Sequence, residues 1–187
     1  AAVAHAGLSA GQRVLDVCAG TGELSLLAAR AHPKVGVIVG VDFTAAMLTR
    51  AQTKSRRRGA AIHWVQGDAQ ALPFGSATFD RALIGFSTRN LSDLEGGLRE
   101  IVRVLRPGGR LVVLETGFPR HPLVRAGYQL FLFTVARTIG FLLTGRCWPF
   151  SYLARSVRQF LTPTQMLERL AACATQARYH PLSFGLA

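Results

Sequence analysis

Two rhythms of apolar and polar positions alternate along the first two-thirds of this 187-residue chain. Short segments at 13–17, 35–41, 61–66, 79–86 and 110–115, apolar in the main and unbroken at 35–41, have the length of buried parallel strands. Between them, segments at 22–31, 44–57 and 92–105 space their apolar residues three and four apart, which marks one face of a helix. Strands alternating with helices predict an α/β fold, a mostly parallel central sheet with helices on both faces. "LRPGG", 105–109, stops the last of these helices, since Pro107 disfavours continuation and Gly108 and Gly109 permit a tight turn. After Glu115 the alternation ceases: "GFPRHPLVRAGYQ" opens a helical insertion over about 118–160, after the fifth strand. "TPTQMLERLAACA" then reads as a helix started by Thr162 with Pro163 at its first position.

The first strand runs into "VCAGTGELS", a glycine turn whose ligand can be sought by elimination. A dinucleotide fingerprint needs a third glycine after Gly20 and Gly22, but Ser25 stands there. A phosphate loop needs a Lys that does not follow Gly22. Asp16 at the strand end and Glu23 in the first helical turn would repel a phosphate and suit an ammonium group. The turn therefore favours a nucleoside with a cationic tail.

Two later strand ends agree. Asp42 closes the run at 35–41 at about the interval from which an acidic residue reaches a ribose, over a helix starting at Thr44. Asp68, in "WVQGDAQALPF", ends a short strand and can receive an adenine amino group. Either could merely cap the helix or turn after it.

"VLDVCAGTGELS", "VGVDFTAAMLTRA", "GDAQALPFGSATFD" and "LREIVRVLRPGGRLVVLE" resemble successive motifs of the class I S-adenosylmethionine-dependent methyltransferases, which have a Rossmann-like fold. "ALPFGSATFD", "FSTRNLSD" and "FSYLARSVRQF" narrow the resemblance to the ubiquinone and menaquinone biosynthesis C-methyltransferases, and it extends from about Gln12 to Gly185. It implies one methyltransferase domain over 1–187, with S-adenosylmethionine as cofactor and a polyprenylated quinol, demethylmenaquinol or the ubiquinone precursor, as substrate. It assigns Thr21 to the methionine end, Asp42 to the ribose and Asp68 with Ala69 to the adenine, makes Gly20 and Gly22 cofactor-binding as well, and places Gly85 in the cofactor loop after the fourth strand, where relatives often carry Ser. Arg89 and Asn90 take the catalytic positions: Arg89 to stabilise a developing phenolate or orient a water that carries the proton, Asn90 to hold the quinol oxygen. Arg cannot itself act as a base. The competing structural reading pairs Arg89 with Asp93 and has Asn90 cap the helix near Ser92. Relatives also carry an N-terminal helical segment, of which only "AAVAHAGLSAGQ" precedes the first strand here. "ARYHPLSFGLA" would be one strand of the antiparallel pair that closes the family's sheet, whose last strand is missing.

Composition changes the picture at three points. Twenty-two basic against 10 acidic residues, a net +12, draws the chain towards anionic partners. The densest run, "KSRRR" at 54–58, reads as a solvated helix end, and the scattered remainder disfavours nucleic acid and leaves an anionic membrane surface. Cys18, Cys147 and Cys173 have neither even number nor metal spacing, which indicates reduced thiols in a cytoplasmic protein and no metal site. No signal peptide is evident, and Arg125 and Arg137 interrupt the apolar segment 123–143, so it is read as buried or resting on the inner face of the membrane, not spanning it. There Phe131, Phe133, Ile139, Phe141 and Leu142 could line a groove for a prenyl tail or simply form core. A homo-oligomer stays open. So do a related small-molecule or lipid methyltransferase and a non-catalytic binding module.

Overall fold

The computed structural model describes residues 2–116, 127, 130, 134 and 161–182. The chain divides into two compact units, Ala1–Glu115 and Thr116–Ala187.

The first unit opens with α1 (Ala2–Ala6), followed by β1 (Arg13–Val17), α2 (Glu23–Ala31), β2 (Val37–Asp42), α3 (Ala45–Arg57), β3 (His63–Gln66) and β4 (Phe79–Gly85). A 3₁₀ turn (Thr88–Asn90), α4 (Leu94–Val104) and β5 (Leu105–Leu114) complete it. All five strands are parallel, in the order β3-β2-β1-β4-β5. β1 is the middle strand, its Val14 matched with Ile38 on one side and Arg81 on the other. Burial on both faces explains the apolar Val14, Leu15 and Val17 of β1, and strand alternation sends neighbours to opposite sides. Leu15 and Val17 pack with Val39, Val41, Ile101 and Val104, which puts α4 on one face. Val14 packs with Ile38, Leu83, Ala28, Val3 and Ala6, which puts α2 and α1 on the other. Each such side chain contributes roughly 1.5–3 kcal/mol by leaving water.

The elements match the sequence pattern with instructive shifts. β2 includes Asp42, which pairs with Gln66. α4 starts at Leu94 because Asp93 is its cap, accepting from the Gly96 N–H at 2.9 Å; neither Asn90 nor Ser92 has that role. "LRPGG" ends α4 as expected, yet Leu105 already pairs with Phe79 and the regular ladder resumes at Arg81–Arg110 after a bulge. α1 has no strong sequence signal. Its last carbonyls are held by side chains of the sheet, Ala6 O accepting from Arg81 Nε at 2.9 Å and His5 O from Arg110 Nη1 at 3.0 Å.

In the second unit, α5 (Pro163–Ala171) has the start its sequence dictates. Thr162 Oγ1 accepts from the Gln165 N–H at 3.3 Å, and Gln165 Oε1 accepts from the Thr162 N–H at 2.9 Å, a reciprocal capping box. Residues 177–182 of the expected closing strand carry no strand, and 183–187 lie outside the described residues. So do nearly all of the insertion at 118–160, its five groove candidates and Cys147. No helix among the described residues is long and apolar enough to cross a membrane.

Candidate active site

The strand order reverses between β1 and β4, and the crevice at the carboxyl ends of such a pair is where parallel sheets bind ligands. The glycine turn lies there. Cys18, Gly20 and Gly22 all have positive φ (54°, 56° and 82°), and Ala19 N–H donates to Val41 O at 2.9 Å. Gly20 faces open space, since a Cβ there would meet nothing within 4 Å. Gly22 is required for a different reason: its Cβ would lie 2.5 Å from Trp64 Cη2. The same indole fills the place of a side chain on Gly40, with Cζ3 at 2.2 Å. Trp64 thus wedges the turn and β2 together, its Nε1 donating to Ser55 Oγ at 3.2 Å.

Each of the three strand-end aspartates is held by backbone N–H groups. Asp16 is buried and accepts from both the N–H (2.9 Å) and the hydroxyl (2.6 Å) of Ser25, which explains a serine at the third fingerprint position. Burial, only partly offset by these bonds, pushes its carboxyl up to about 6. It secures the start of α2 through one carboxylate oxygen, Oδ2. Asp42 accepts from Gly20 N–H and Thr44 N–H, both at 2.8 Å, so it fastens the turn while its remaining lone pairs stay available. Asp68 accepts from Gln70 N–H at 2.9 Å, beside the buried Ala69. Together they make this edge electronegative: burial first, and then Asp42, Asp16 and Asp68, raise the Cys18 thiol to about 12. Such an edge fits a nucleoside with a cationic group and opposes a phosphate.

Glu23, also expected to meet an ammonium group, is turned elsewhere. Lys54 Nζ donates to Glu23 Oε1 at 2.6 Å and to Thr21 Oγ1 at 2.8 Å, so the first residue of "KSRRR" ties α3 to the glycine turn. The loop carrying Asp68 is likewise clamped. Glu100 accepts from Leu72 N–H at 2.9 Å, and Arg103 donates to Phe74 O at 2.9 Å and Leu72 O at 3.2 Å. Phe43, next to Asp42, is 73% exposed at this edge, an apolar surface that the sequence pattern did not single out.

At the end of β4 a Cβ on Gly85 would lie 2.7 Å from Leu24 Cδ1, so the leucine of α2 takes up the room beside it. Arg89 does not pair with Asp93. Its Nη1 donates to Glu115 Oε1, and Glu115 Oε2 accepts from Thr88 Oγ1 at 2.6 Å. The two charged side chains are only 10% and 11% exposed. Asn90 is exposed, its N–H donating to Ser87 O at 2.9 Å. Glu115 had no sequence signal beyond ending a strand.

A parallel sheet in this order, with a glycine turn and aspartates at the carboxyl edge, is the architecture of the class I methyltransferases. A putative methyltransferase of Bacillus halodurans has the same fold, with a TM-score of 0.66 at 22% identity over 91% of this chain and 65% of that one. A demethylmenaquinone methyltransferase of Thermus thermophilus is 40% identical over 178 residues, 94% of this chain and 80% of the relative. A ubiquinone/menaquinone biosynthesis C-methyltransferase of Hahella chejuensis is 37% identical over 185 residues, 96% and 74%. The chain belongs to the ubiE/COQ5 methyltransferase family, whose model matches residues 2–187.

Proposed function

We propose that the chain transfers a methyl group from S-adenosylmethionine to a ring carbon of a polyprenylated quinol, with demethylmenaquinol as the favoured substrate. The observation that carries this reading is the fixed, buried guanidinium of Arg89 at the end of β4, one strand from the glycine turn. S-adenosylmethionine, when bound, supplies an electrophilic methyl on a sulfonium. The open face at Gly20 and the spare acceptor capacity of Asp42 suit its amino-acid and ribose parts, and Asp68, Ala69 and the exposed Phe43 ring suit its adenine.

A quinol carbon becomes a competent nucleophile as a neighbouring hydroxyl loses its proton. Arg89, permanently charged, stabilises that developing phenolate, and Asn90 holds the quinol oxygen. Orientation of the ring behind the methyl completes what the protein must provide. A polyprenyl substrate and a net +12 charge further support peripheral contact with the inner, anionic face of a membrane.

The test is transfer of labelled methyl to reduced demethylmenaquinone by the parent and by Arg89→Ala. A fall in kcat of about 10²–10³, the range for a lost oxyanion donor, with unchanged cofactor affinity supports the assignment. Full turnover by Arg89→Ala refutes it.

A further inference from the structure

Among the described residues, one buried nitrogen of the Arg89 guanidinium, Nε, has no hydrogen-bond partner. A guanidinium carries five N–H groups in a rigid plane, and burying it beside a carboxylate is tolerable only where hydrogen bonds replace the lost water. Glu115 is anchored on both oxygens, one by Arg89 Nη1 and the other by the buried Thr88 hydroxyl. Thr88 and Arg89 share one 3₁₀ turn, and Phe86 N–H donating to Leu114 O at 2.7 Å fixes that turn against the end of β5. The guanidinium is therefore tethered through Glu115, next to the end of β5. Yet Arg89 Nε is buried and has no hydrogen-bond partner among the described residues. Native proteins rarely leave such a donor unmet, and one that is rigidly held and adjoins a permanent cation suits an oxyanion.

We infer that Glu115 is a positioning residue: it grips the far side of the Arg89 guanidinium so that the Nε N–H stays directed at an ionised aromatic hydroxyl. The inference deepens the quinol reading above and rests on it. Glu115 acts by placement. A neutral isostere that still accepts from Arg89 preserves its effect, and truncation abolishes it.

The experiment follows the ionisation of a bound probe, so it needs no turnover. 4-Methoxy-1-naphthol, a monomethyl ether of a naphthoquinol, is titrated without oxygen into the protein saturated with S-adenosylhomocysteine, and its phenolate fraction is read by absorbance at fixed pH. The parent is expected to raise the bound phenolate-to-phenol ratio by about tenfold or more over free solution, the effect of a neighbouring fixed cation. Glu115→Ala should bring the ratio to within about twofold of free naphthol, and Glu115→Gln should retain most of the rise, both with parental cofactor affinity. Should Glu115→Ala fail to fold, Thr88→Val, which removes only the second anchor, carries the test with an expected fall of about threefold. A raised ratio that survives Glu115→Ala or Thr88→Val overturns the inference and leaves the quinol reading standing. Equal loss in Glu115→Ala and Glu115→Gln also overturns it, since charge and not placement would then be what matters. If the naphthol does not bind the parent, or binds without ionising, the quinol reading itself fails and takes this inference with it.

Discussion

Gly20 and Asp42 meet at the carboxyl ends of neighbouring strands, the Gly20 N–H donating to Asp42 Oδ2 at 2.8 Å. The residue assigned to the ribose is therefore also the one that sets the shape of the glycine turn. Asp42→Ala removes both contributions, and hydrogen bonds to a charged group are worth about 1.5–3 kcal/mol each. Calorimetry should show S-adenosylmethionine affinity weakened by about 10- to 100-fold, with Asp42→Asn intermediate because its amide oxygen still accepts. Parental affinity in Asp42→Ala contradicts the assignment.

Trp64 makes Gly40 nearly irreplaceable. A Cβ there would stand 2.2 Å from the indole, inside a β-strand that cannot shift without breaking register with β1 and β3. Gly40→Ala should destabilise by about 1–3 kcal/mol, the usual result of overpacking. Adding Trp64→Leu to Gly40→Ala should recover part of the loss, measured as the midpoint of urea unfolding.

Asp16 gives a pH signature of defined sign. Its folded pKa, about 6, lies above its ordinary 3.8, so the folded state holds the proton more tightly than the unfolded one. Stability from this group is present below about 4, declines as pH rises to about 6, and stays lost above it, by roughly 3 kcal/mol at about 1.4 kcal/mol per unit. The parent's unfolding free energy relative to Asp16→Asn should therefore fall across that window. A flat or rising difference contradicts the buried environment described for Asp16.

Lys54 separates stability from binding. Its pair with Glu23 is solvent-exposed (36% and 63%), and such pairs are worth about 0–1 kcal/mol. Lys54→Met should leave the unfolding midpoint nearly unchanged. Release of Thr21 should still weaken S-adenosylmethionine binding by about two- to tenfold. Equal affinity in the two proteins would show that the turn does not depend on this tie.

The fold was legible where burial dictates pattern. β1, β2 and β4 read as strands because most of their apolar residues are buried, although Asp16 interrupts β1 and Asp80 and Arg81 interrupt β4, and Thr162, Pro163 and Gln165 write the start of α5 locally. The positions of Gly20, Asp42 and Asp68 were legible because each stands at or just beyond the carboxyl end of a strand. What stayed hidden depends on contacts distant in sequence. Glu115 meets Arg89 across 26 residues, Lys54 meets Thr21 across 33, and nothing in "HWVQ" announces that Trp64 fills two glycine gaps. Asp16 and Glu23 were correctly seen as acidic neighbours of the turn, yet Ser25 and Lys54 claim them, and no local pattern encodes those partners.

The central claim is that this edge binds S-adenosylmethionine and delivers its methyl to a quinol. The most direct measurement is calorimetric titration with S-adenosylmethionine followed by transfer of labelled methyl to reduced demethylmenaquinone in detergent. Saturable binding at one site per chain, with label recovered on the quinone ring, is the predicted result. Absence of cofactor binding, or binding with no label transferred to the quinol, contradicts the account.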